Sequence, residues 1–299
     1  MFIILILSII AGIVTFILLG TLTKKDDNVI YNKLDKVGRL TNALLTVAYV
    51  GTAYCGYQVQ PNGITVQEVI GNAAKTLFGF ACDVVGCSRT DSGVHARCFC
   101  VCLSNKGEDH LTTTIPAERI ARAMNAHLPQ DISVLRSIEV PADFHPRYDV
   151  VSKEYEYLIY NGAERDPFLQ DRAWHIPVRI EDEALAAMNR AAACFVGKQD
   201  FSAFRAVGAD TEPKDAVRTV VAASVERQGD MISFRVRADG FLYHMVRIMA
   251  GTLVAVAKGR IDADDVPALI ASGDRTKAGT TAPACGLYLN RVFYKDIDP

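Results

Sequence analysis

Apolar residues along this chain follow two spacings, one typical of helices and one typical of strands. Between Thr65 and Gly79 they recur every three or four positions, which predicts an amphipathic helix. The sequence T-V-Q-E at its start has the spacing of a capping box, in which Thr65 and Glu68 bond to free backbone N–H groups. Gly79 stands where the helix should end, because glycine readily adopts a left-handed conformation there.

Other segments alternate between apolar and polar residues, as half-buried strands do. Strands are predicted near residues 44–50, 83–88, 97–103, 132–140, 153–160, 219–227, 231–238 and 287–294. Further helices are predicted at 117–128, 181–197 and 241–259. The order of strands and helices repeats once along the chain. It predicts an α+β fold of two similar subdomains, 41–150 and 151–299, each a mostly antiparallel sheet backed by helices.

The N-terminal segment differs from the rest of the chain. Residues 1–22 carry no charge, and about 20 apolar residues are needed to cross a bilayer. Lysines follow in the polar segment 23–40, which is interpreted as a linker. The positive-inside rule then predicts a single-pass anchor with the catalytic body on the cytoplasmic side. A misplaced gene start or a fusion is the alternative interpretation of the same segment.

The net charge of the chain does not attract a polyanion such as RNA. The chain has 299 residues, with 32 basic and 34 acidic residues and a formal net charge of −2. A nucleic-acid site must therefore be a local patch. Five basic residues lie close together in sequence near the longest apolar helix: Arg235, Arg237, Arg247, Lys258 and Arg260. They predict a surface for an RNA backbone, and an ordinary solvated face is the alternative.

The eight cysteines form no C-x-x-C pair. Cys98, Cys100 and Cys102 alternate, so on a strand they share one face. This pattern favours buried free thiols in a reducing compartment. A zinc site that also uses His95 is the alternative, although alternate residues of one strand rarely converge on one metal.

Three polar features stand in apolar surroundings. The first is the sequence GCSRTDSGVHAR, residues 86–97, at a turn between two predicted strands. Asp-Ser-Gly by itself is ordinary turn chemistry. The second is the pair Tyr155 and Tyr157 on one strand face, of which Tyr157 is expected in the core. The third is Arg247, which on a buried helix needs a carboxylate partner unless its side chain reaches solvent.

Taken together, the motifs resemble the TruA family of tRNA pseudouridine synthases. The sequence GCSRTDSGVHA is similar to the family's most specific motif, G-x-G-R-T-D-A-G-V-H-A. The segments YVGTAYCGYQVQ, NAHLPQDI, FHPRYDVVSKEYEYLIYN, GKQDFSAFR, ADGFLYHMVRIMAGTL and APACGLYL match in order. The resemblance extends from about residue 44 to residue 294, and it implies a pseudouridine synthase fold with a central RNA-binding cleft.

The resemblance also implies roles for five residues of this chain. Asp91 is expected to be the catalytic carboxylate, and Arg247 its basic partner. Tyr155 is expected to stack on the target base, and Arg89 to assist base flipping. Leu287 is expected to line the pocket.

The implied reaction converts uridine to pseudouridine at positions 38, 39 and 40 of the tRNA anticodon stem-loop, in a homodimer and without a metal or redox cofactor. A carboxylate can attack the ribose as a nucleophile or remove a ribose proton, and both roles stay open for Asp91. Base flipping requires an aromatic or cationic group that stacks on the extruded base.

The chain departs from the family pattern away from these five positions. The usual Gly-Trp-Gln is Gly56-Tyr57-Gln58 here, and Tyr243 stands where a histidine is common. Two other functions compete with the isomerase. One is a tRNA-binding protein without catalysis. The other is a retaining glycosidase, which needs a second carboxylate that the motif does not offer.

Overall fold

Ten strands of the described chain form one sheet, and the other two pair with each other. The computed structural model describes residues 39–40, 42–206 and 215–299. The strands of these residues are β1 (Arg39–Leu40), β2 (Asn42–Tyr49), β3 (Cys82–Gly86), β4 (His95–Asn105), β5 (Leu111–Thr112), β6 (Ile132–Val140), β7 (Val150–Tyr160), β8 (Trp174–His175), β9 (Gly197–Asp200), β10 (Val217–Gln228), β11 (Met231–Ala238) and β12 (Leu287–Tyr294). The helices are α1 (Val66–Phe78), α2 (Ala117–Asn125), α3 (Asp182–Ala193), α4 (Met245–Ala257) and α5 (Val266–Ser272).

The strand order places the two sequence halves side by side. The main path of the sheet is β6-β2-β4-β12-β7-β11-β10-β9, with β3 added on β4 and β8 on β7. The last strand, β12, lies between β4 and β7, parallel to the first and antiparallel to the second. The two predicted subdomains therefore share one mixed, mostly antiparallel sheet, and β12 joins them. The α+β prediction is confirmed at this level.

Helix α1 begins and ends where the capping pattern predicted. The Thr65 hydroxyl accepts a hydrogen bond from the Glu68 backbone N–H at 3.3 Å. Gly79 follows the last turn with a φ of 82°, a left-handed conformation that a side chain would disfavour. The buried face of α1 includes Val66 and Ile70. Local signals were sufficient here because cap, apolar stripe and terminator all agree.

Three helix predictions were wrong at one end. The helix predicted at 117–128 ends at Asn125. The helix predicted at 181–197 ends at Ala193, and Gly197 begins strand β9 instead. The helix predicted at 241–259 begins only at Met245. The apolar run that leads into α4 contains no capping residue or break in pattern, so its first residue could not be seen in the sequence. The four residues before α4 line the cleft described below.

The predicted anchor at 1–22 and most of the linker at 23–40 lie outside the described residues, and the anchor stays a prediction. The end of the linker was wrong, since Arg39 and Leu40 pair with Thr112 and Leu111 as strand β1. Within 39–40, 42–206 and 215–299, the helices are all too short or too polar to cross a bilayer.

Candidate active site

The turn after β3 is held in place by two other segments of the first half. The Tyr49 hydroxyl on β2 lies 2.8 Å from Oγ1 of Thr90. The Tyr57 backbone N–H donates to the Thr90 carbonyl at 3.1 Å, and the Val94 N–H donates to the Asp91 carbonyl at 3.2 Å. The backbone of Asp91 is therefore positioned by bonds on both sides of it. These bonds fix a polar turn between the partly buried strand β3 and the largely buried strand β4.

Gly56 permits the close approach that fixes this turn. Its φ is 81°, and a methyl group at this position would lie 2.6 Å from the Thr90 carbonyl oxygen. Any side chain there would push the loop away from the turn or strain its own backbone. The glycine of the Gly-Tyr-Gln segment is therefore required by the turn that carries Asp91.

Arg247 of helix α4 pairs with Asp91, as predicted. Its terminal nitrogen lies 3.0 Å from Oδ2 of Asp91, and both side chains are largely buried, with 15% and 26% exposed. Its Nε donates to the Ala282 carbonyl at 2.8 Å. One edge of the guanidinium thus bonds to a backbone carbonyl in the second half of the chain, and the other bonds to the Asp91 carboxylate in the first half. This geometry holds the negative charge of Asp91 in place.

His244 is a second partner of Asp91 that the sequence predictions missed. Its Nε2 lies 3.2 Å from the same Oδ2 atom. The residue precedes α4 with φ 59° and ψ 9°, a left-handed conformation that is uncommon for residues other than glycine, although histidine adopts it more often than most. Burial lowers the pKa of His244 from its usual 6.5, and the nearby Arg247 and Arg275 lower it further against the opposing effect of Asp91. The neutral imidazole can therefore donate a hydrogen bond to the carboxylate at neutral pH.

Tyr155 and Tyr157 lie on one face of β7 in different surroundings. Tyr155 lines the cleft beside Asp91, and its ring meets Phe241 edge-on at 5.0 Å. Its hydroxyl lies 3.3 Å from Oγ of Ser88, and burial raises its pKa well above the ordinary value, so the phenol stays protonated. Tyr157 is fully buried and donates to the Pro283 carbonyl at 2.7 Å. Its predicted place in the core is confirmed.

These side chains surround one open cleft of about 590 Å³. Four of the five predicted site residues line it: Arg89, Asp91, Tyr155 and Leu287. Arg247, the fifth, reaches it through Asp91. Arg147, Lys153 and Arg218 add positive charge to the same walls. Among the described residues, Asp91 is the one carboxylate in the lining of this cationic, aromatic cleft, an arrangement that suits a reaction at one ribose of a polyanion.

Comparison with known proteins agrees with this geometry. The profile of a family described as tRNA pseudouridine synthase matches residues 45–149 and 191–295. The chain belongs to this family. It is 44% identical over 255 residues to tRNA pseudouridine synthase A of Acetivibrio thermocellus, covering 85% of this chain and 100% of that protein. It is 44% identical over 252 residues to the protein of the same name from Moorella thermoacetica, covering 84% and 98%.

Among solved structures, the similarity is weaker. The chain matches a crystal structure of a Cbf5-Nop10-Gar1 complex with a TM-score of 0.34 and 15% identity, over 84% of this chain and 50% of that one.

The basic residues predicted to form one cluster between 235 and 260 do not lie on a single surface. Val236 pairs in register with Tyr155, and Arg235 with Glu156, so the Arg235 side chain lies on the sheet face opposite the cleft. There its Nε bonds to Oε1 of Glu156 at 2.9 Å. Arg237, on the same face as Arg235, stacks over Phe293 at 3.7 Å.

The prediction of that cluster was wrong because it assumed that residues close in sequence share a surface. On a strand, successive side chains point to opposite faces of the sheet. The cleft cations come instead from four separate segments. Lys153 could have been found from its period-2 spacing with Tyr155, and Arg147 from the motif FHPRYDV. Arg218 carries no such signal.

His95 has a structural role in the turn and does not line the cleft. It is 1% exposed, its Nδ1 accepts from the Gly51 N–H at 3.0 Å, and its Nε2 lies 3.1 Å from the Cys285 carbonyl. Burial lowers its pKa, which keeps the ring neutral. His95 therefore links the backbone at Gly51 to the backbone at Cys285.

The role of His244 can be tested by substitution. We expect His244→Asn to retain folding and much of the activity, because asparagine tolerates the left-handed conformation and can donate to Asp91. His244→Val should lose about tenfold or more in rate, since it removes the donor and β-branching disfavours that backbone. Pseudouridine formation and melting temperature would be measured for both variants. Equal activity of the valine variant would contradict the proposed contact.

His244 should also contribute a pH dependence to stability. Its pKa in the folded state is below the usual 6.5, so the unfolded chain binds the proton more readily. The contribution of the neutral His244 to folding stability is fully present above the usual pKa of 6.5. It is lost as the pH falls through the lower pKa of the folded state. Melting temperature measured from pH 7 to pH 5 should therefore fall more steeply for the wild type than for His244→Asn.

Proposed function

We infer that this chain isomerises uridine to pseudouridine in tRNA, at positions 38, 39 and 40 of the anticodon stem-loop. The observation that carries this proposal is the carboxylate of Asp91, held at the wall of a cationic cleft by Arg247 and faced there by Tyr155. Membership of the tRNA pseudouridine synthase family supports the reaction. The three positions rest on the resemblance of the motifs to the TruA family.

The geometry leaves one oxygen of Asp91 for the substrate. Arg247 and His244 both contact Oδ2, whereas Oδ1 has no hydrogen-bond partner among the described residues. In the proposed reaction the C1′–N1 bond breaks and a C1′–C5 bond forms. The base loses its proton at C5 and gains one at N1, so nothing is oxidised. Oδ1 can then either attack C1′ or remove a ribose proton, and both roles need the ionised carboxylate.

The remaining predicted residues have roles that fit their positions. Arg89 is exposed at the cleft wall two residues before Asp91, where a guanidinium can fill the gap left by a flipped base. The ring of Tyr155 can stack on the uracil, and Leu287 closes the apolar side of the pocket. We also propose, from the family resemblance, that the chain acts as a homodimer. Light scattering of the protein with and without tRNA tests that state.

The proposed function is tested with the full-length chain and a tRNA transcript labelled with tritium at uracil C5. Formation of pseudouridine releases this tritium into water. Transcripts in which cytidine replaces uridine 38, 39 or 40 singly and together should lose the release in steps, and the triple replacement should lose all of it. Absence of release from the unaltered transcript would overturn the proposal. Undiminished release from the triple replacement would overturn the assigned positions.

Tyr155 provides a further prediction. Tyr155→Phe should change the rate only a few-fold, because the ring is kept and the lost hydroxyl makes only a long bond to Ser88. Tyr155→Leu should reduce kcat/KM by about 10- to 100-fold, since stacking on a base contributes about 1–3 kcal/mol. Tritium release under single-turnover conditions measures both. A phenylalanine variant as inactive as the leucine variant would show that the hydroxyl, and not the ring, is required.

A further inference from the structure

Tyr243 is an exposed aromatic residue in the wall of the cleft, with no role in the reaction so far described. Its side chain belongs to the short segment between β11 and α4, and the residue is 40% exposed. It lines the same cavity as Asp91 and Tyr155. Ligand pockets are lined mainly by apolar and aromatic side chains, with a few polar groups that fix the orientation of the ligand.

The position of the Tyr243 ring is well determined by its neighbours. It stacks on the imidazole of His244 with ring centroids 3.8 Å apart and an angle of 26° between the planes. The Tyr243 carbonyl accepts a hydrogen bond from the Ala206 N–H at 3.2 Å. His244 in turn contacts Asp91. A preformed, partly exposed ring of this kind can bind a planar group with little loss of conformational freedom.

Tyr155 and Tyr243 offer two different aromatic surfaces. Tyr155 is 6% exposed, and its ring is packed edge-on against Phe241, so it is accessible only from inside the pocket. Tyr243 is accessible from the cleft at large. One target uridine in the pocket therefore does not account for both rings.

The charges of the cleft that Tyr243 lines suit a nucleotide rather than an apolar ligand. Arg218 lines the same cleft, and its guanidinium is held by the Val217 and Asp215 carbonyls at 2.6 and 3.1 Å. Arg147 lies exposed in the same wall. A base stacked on Tyr243 would have its phosphate within a field of positive charge.

We propose that Tyr243 binds, by stacking, the base of the nucleotide next to the target uridine, while Arg218 and Arg147 attract its phosphate. The inference rests on the proposed function, because it requires an RNA substrate in the cleft. Stacking of this kind accepts any base, since every base has a π-face. It would hold the strand on one side of the target while that uridine is flipped.

The test compares Tyr243→Phe and Tyr243→Leu on tRNA transcripts that carry an abasic nucleotide, placed in turn at the 5′ and the 3′ neighbour of the target uridine. On unaltered tRNA, the leucine variant should lose about tenfold in kcat/KM, mainly through KM, and the phenylalanine variant, which keeps the ring, should lose less than the leucine variant. With the abasic nucleotide at one of the two neighbours, wild type and leucine variant should become equal. Tyr148→Leu is the matched control, a 76% exposed tyrosine that stacks on His145 but does not line the cleft.

Each other outcome has a defined meaning. If the leucine variant retains its tenfold defect on both abasic substrates, Tyr243 supports His244 only, and the stacking proposal is overturned. If the leucine variant equals the wild type on unaltered tRNA, the proposal is also overturned. If the wild type releases no tritium from any tRNA, the proposed function itself has failed. The melting temperature of each variant separates a folding defect from loss of the contact.

Discussion

Asp91→Asn is expected to abolish pseudouridine formation while the protein still binds tRNA. The substitution keeps the shape of the side chain and removes the negative charge that both candidate mechanisms require. Loss of a group that reacts with the substrate typically reduces the rate by about 10⁴-fold or more. Tritium release from labelled tRNA measures the rate, and filter binding measures the affinity.

The chain offers a matched control for this experiment. Glu156 is also a largely buried carboxylate between two arginines, with side-chain exposure of 5% and contacts to Arg97 and Arg235. It lies on the sheet face opposite Tyr155. Glu156→Gln should lower the melting temperature, because two arginines lose their partner, and should leave tritium release close to that of the wild type. An inactive Glu156→Gln would indicate that loss of any buried carboxylate disturbs the site, and activity of Asp91→Asn would contradict the catalytic assignment directly.

Arg247→Met is expected to have the second largest effect, a loss of about 10²- to 10³-fold in kcat/KM, comparable to the removal of one preorganised donor from an active site. The variant removes both the charge beside Asp91 and the bond to Ala282. Arg247→Lys should fall between wild type and methionine variant, because an ammonium group keeps the charge but cannot make both contacts in one geometry.

Arg235→Met is the corresponding control for Arg247. It removes an arginine that bonds to a carboxylate at 2.9 Å, but on the far side of the sheet. We expect it to retain activity and tRNA affinity. A large loss of tRNA affinity in Arg235→Met would contradict the conclusion that the sheet face carrying Arg235 lies outside the RNA-binding surface. Rates and tRNA affinities of the three arginine variants would be measured side by side.

Local patterns predicted most of the strands and the first helix because each depends on neighbours in sequence. Strands β6 and β12 begin and end at the predicted residues, 132–140 and 287–294. Short elements escaped prediction. Strand β9 has four residues and no clear alternation, and α5 follows directly on a 3-10 turn. Such segments take their conformation from the sheet or helices on which they pack.

The residue types and their local spacing were enough to indicate which side chains carry the chemistry. They indicated the turn with Arg89 and Asp91, the tyrosine at 155, and an arginine within an apolar helix. These predictions depend only on residue types and on spacing along the chain, so they do not require knowledge of the fold. Motif order was sufficient to indicate the family.

The contacts between distant segments depend on the three-dimensional fold, even where the family resemblance had named both partners. Asp91 and Arg247 are 156 positions apart, and β12 brings their halves together by pairing with both β4 and β7. His244 reaches Asp91 because the helix begins one residue later than this histidine, whose backbone is left-handed. The basic residues near 235 were separated by strand alternation, since neighbours on a strand face opposite sides of the sheet.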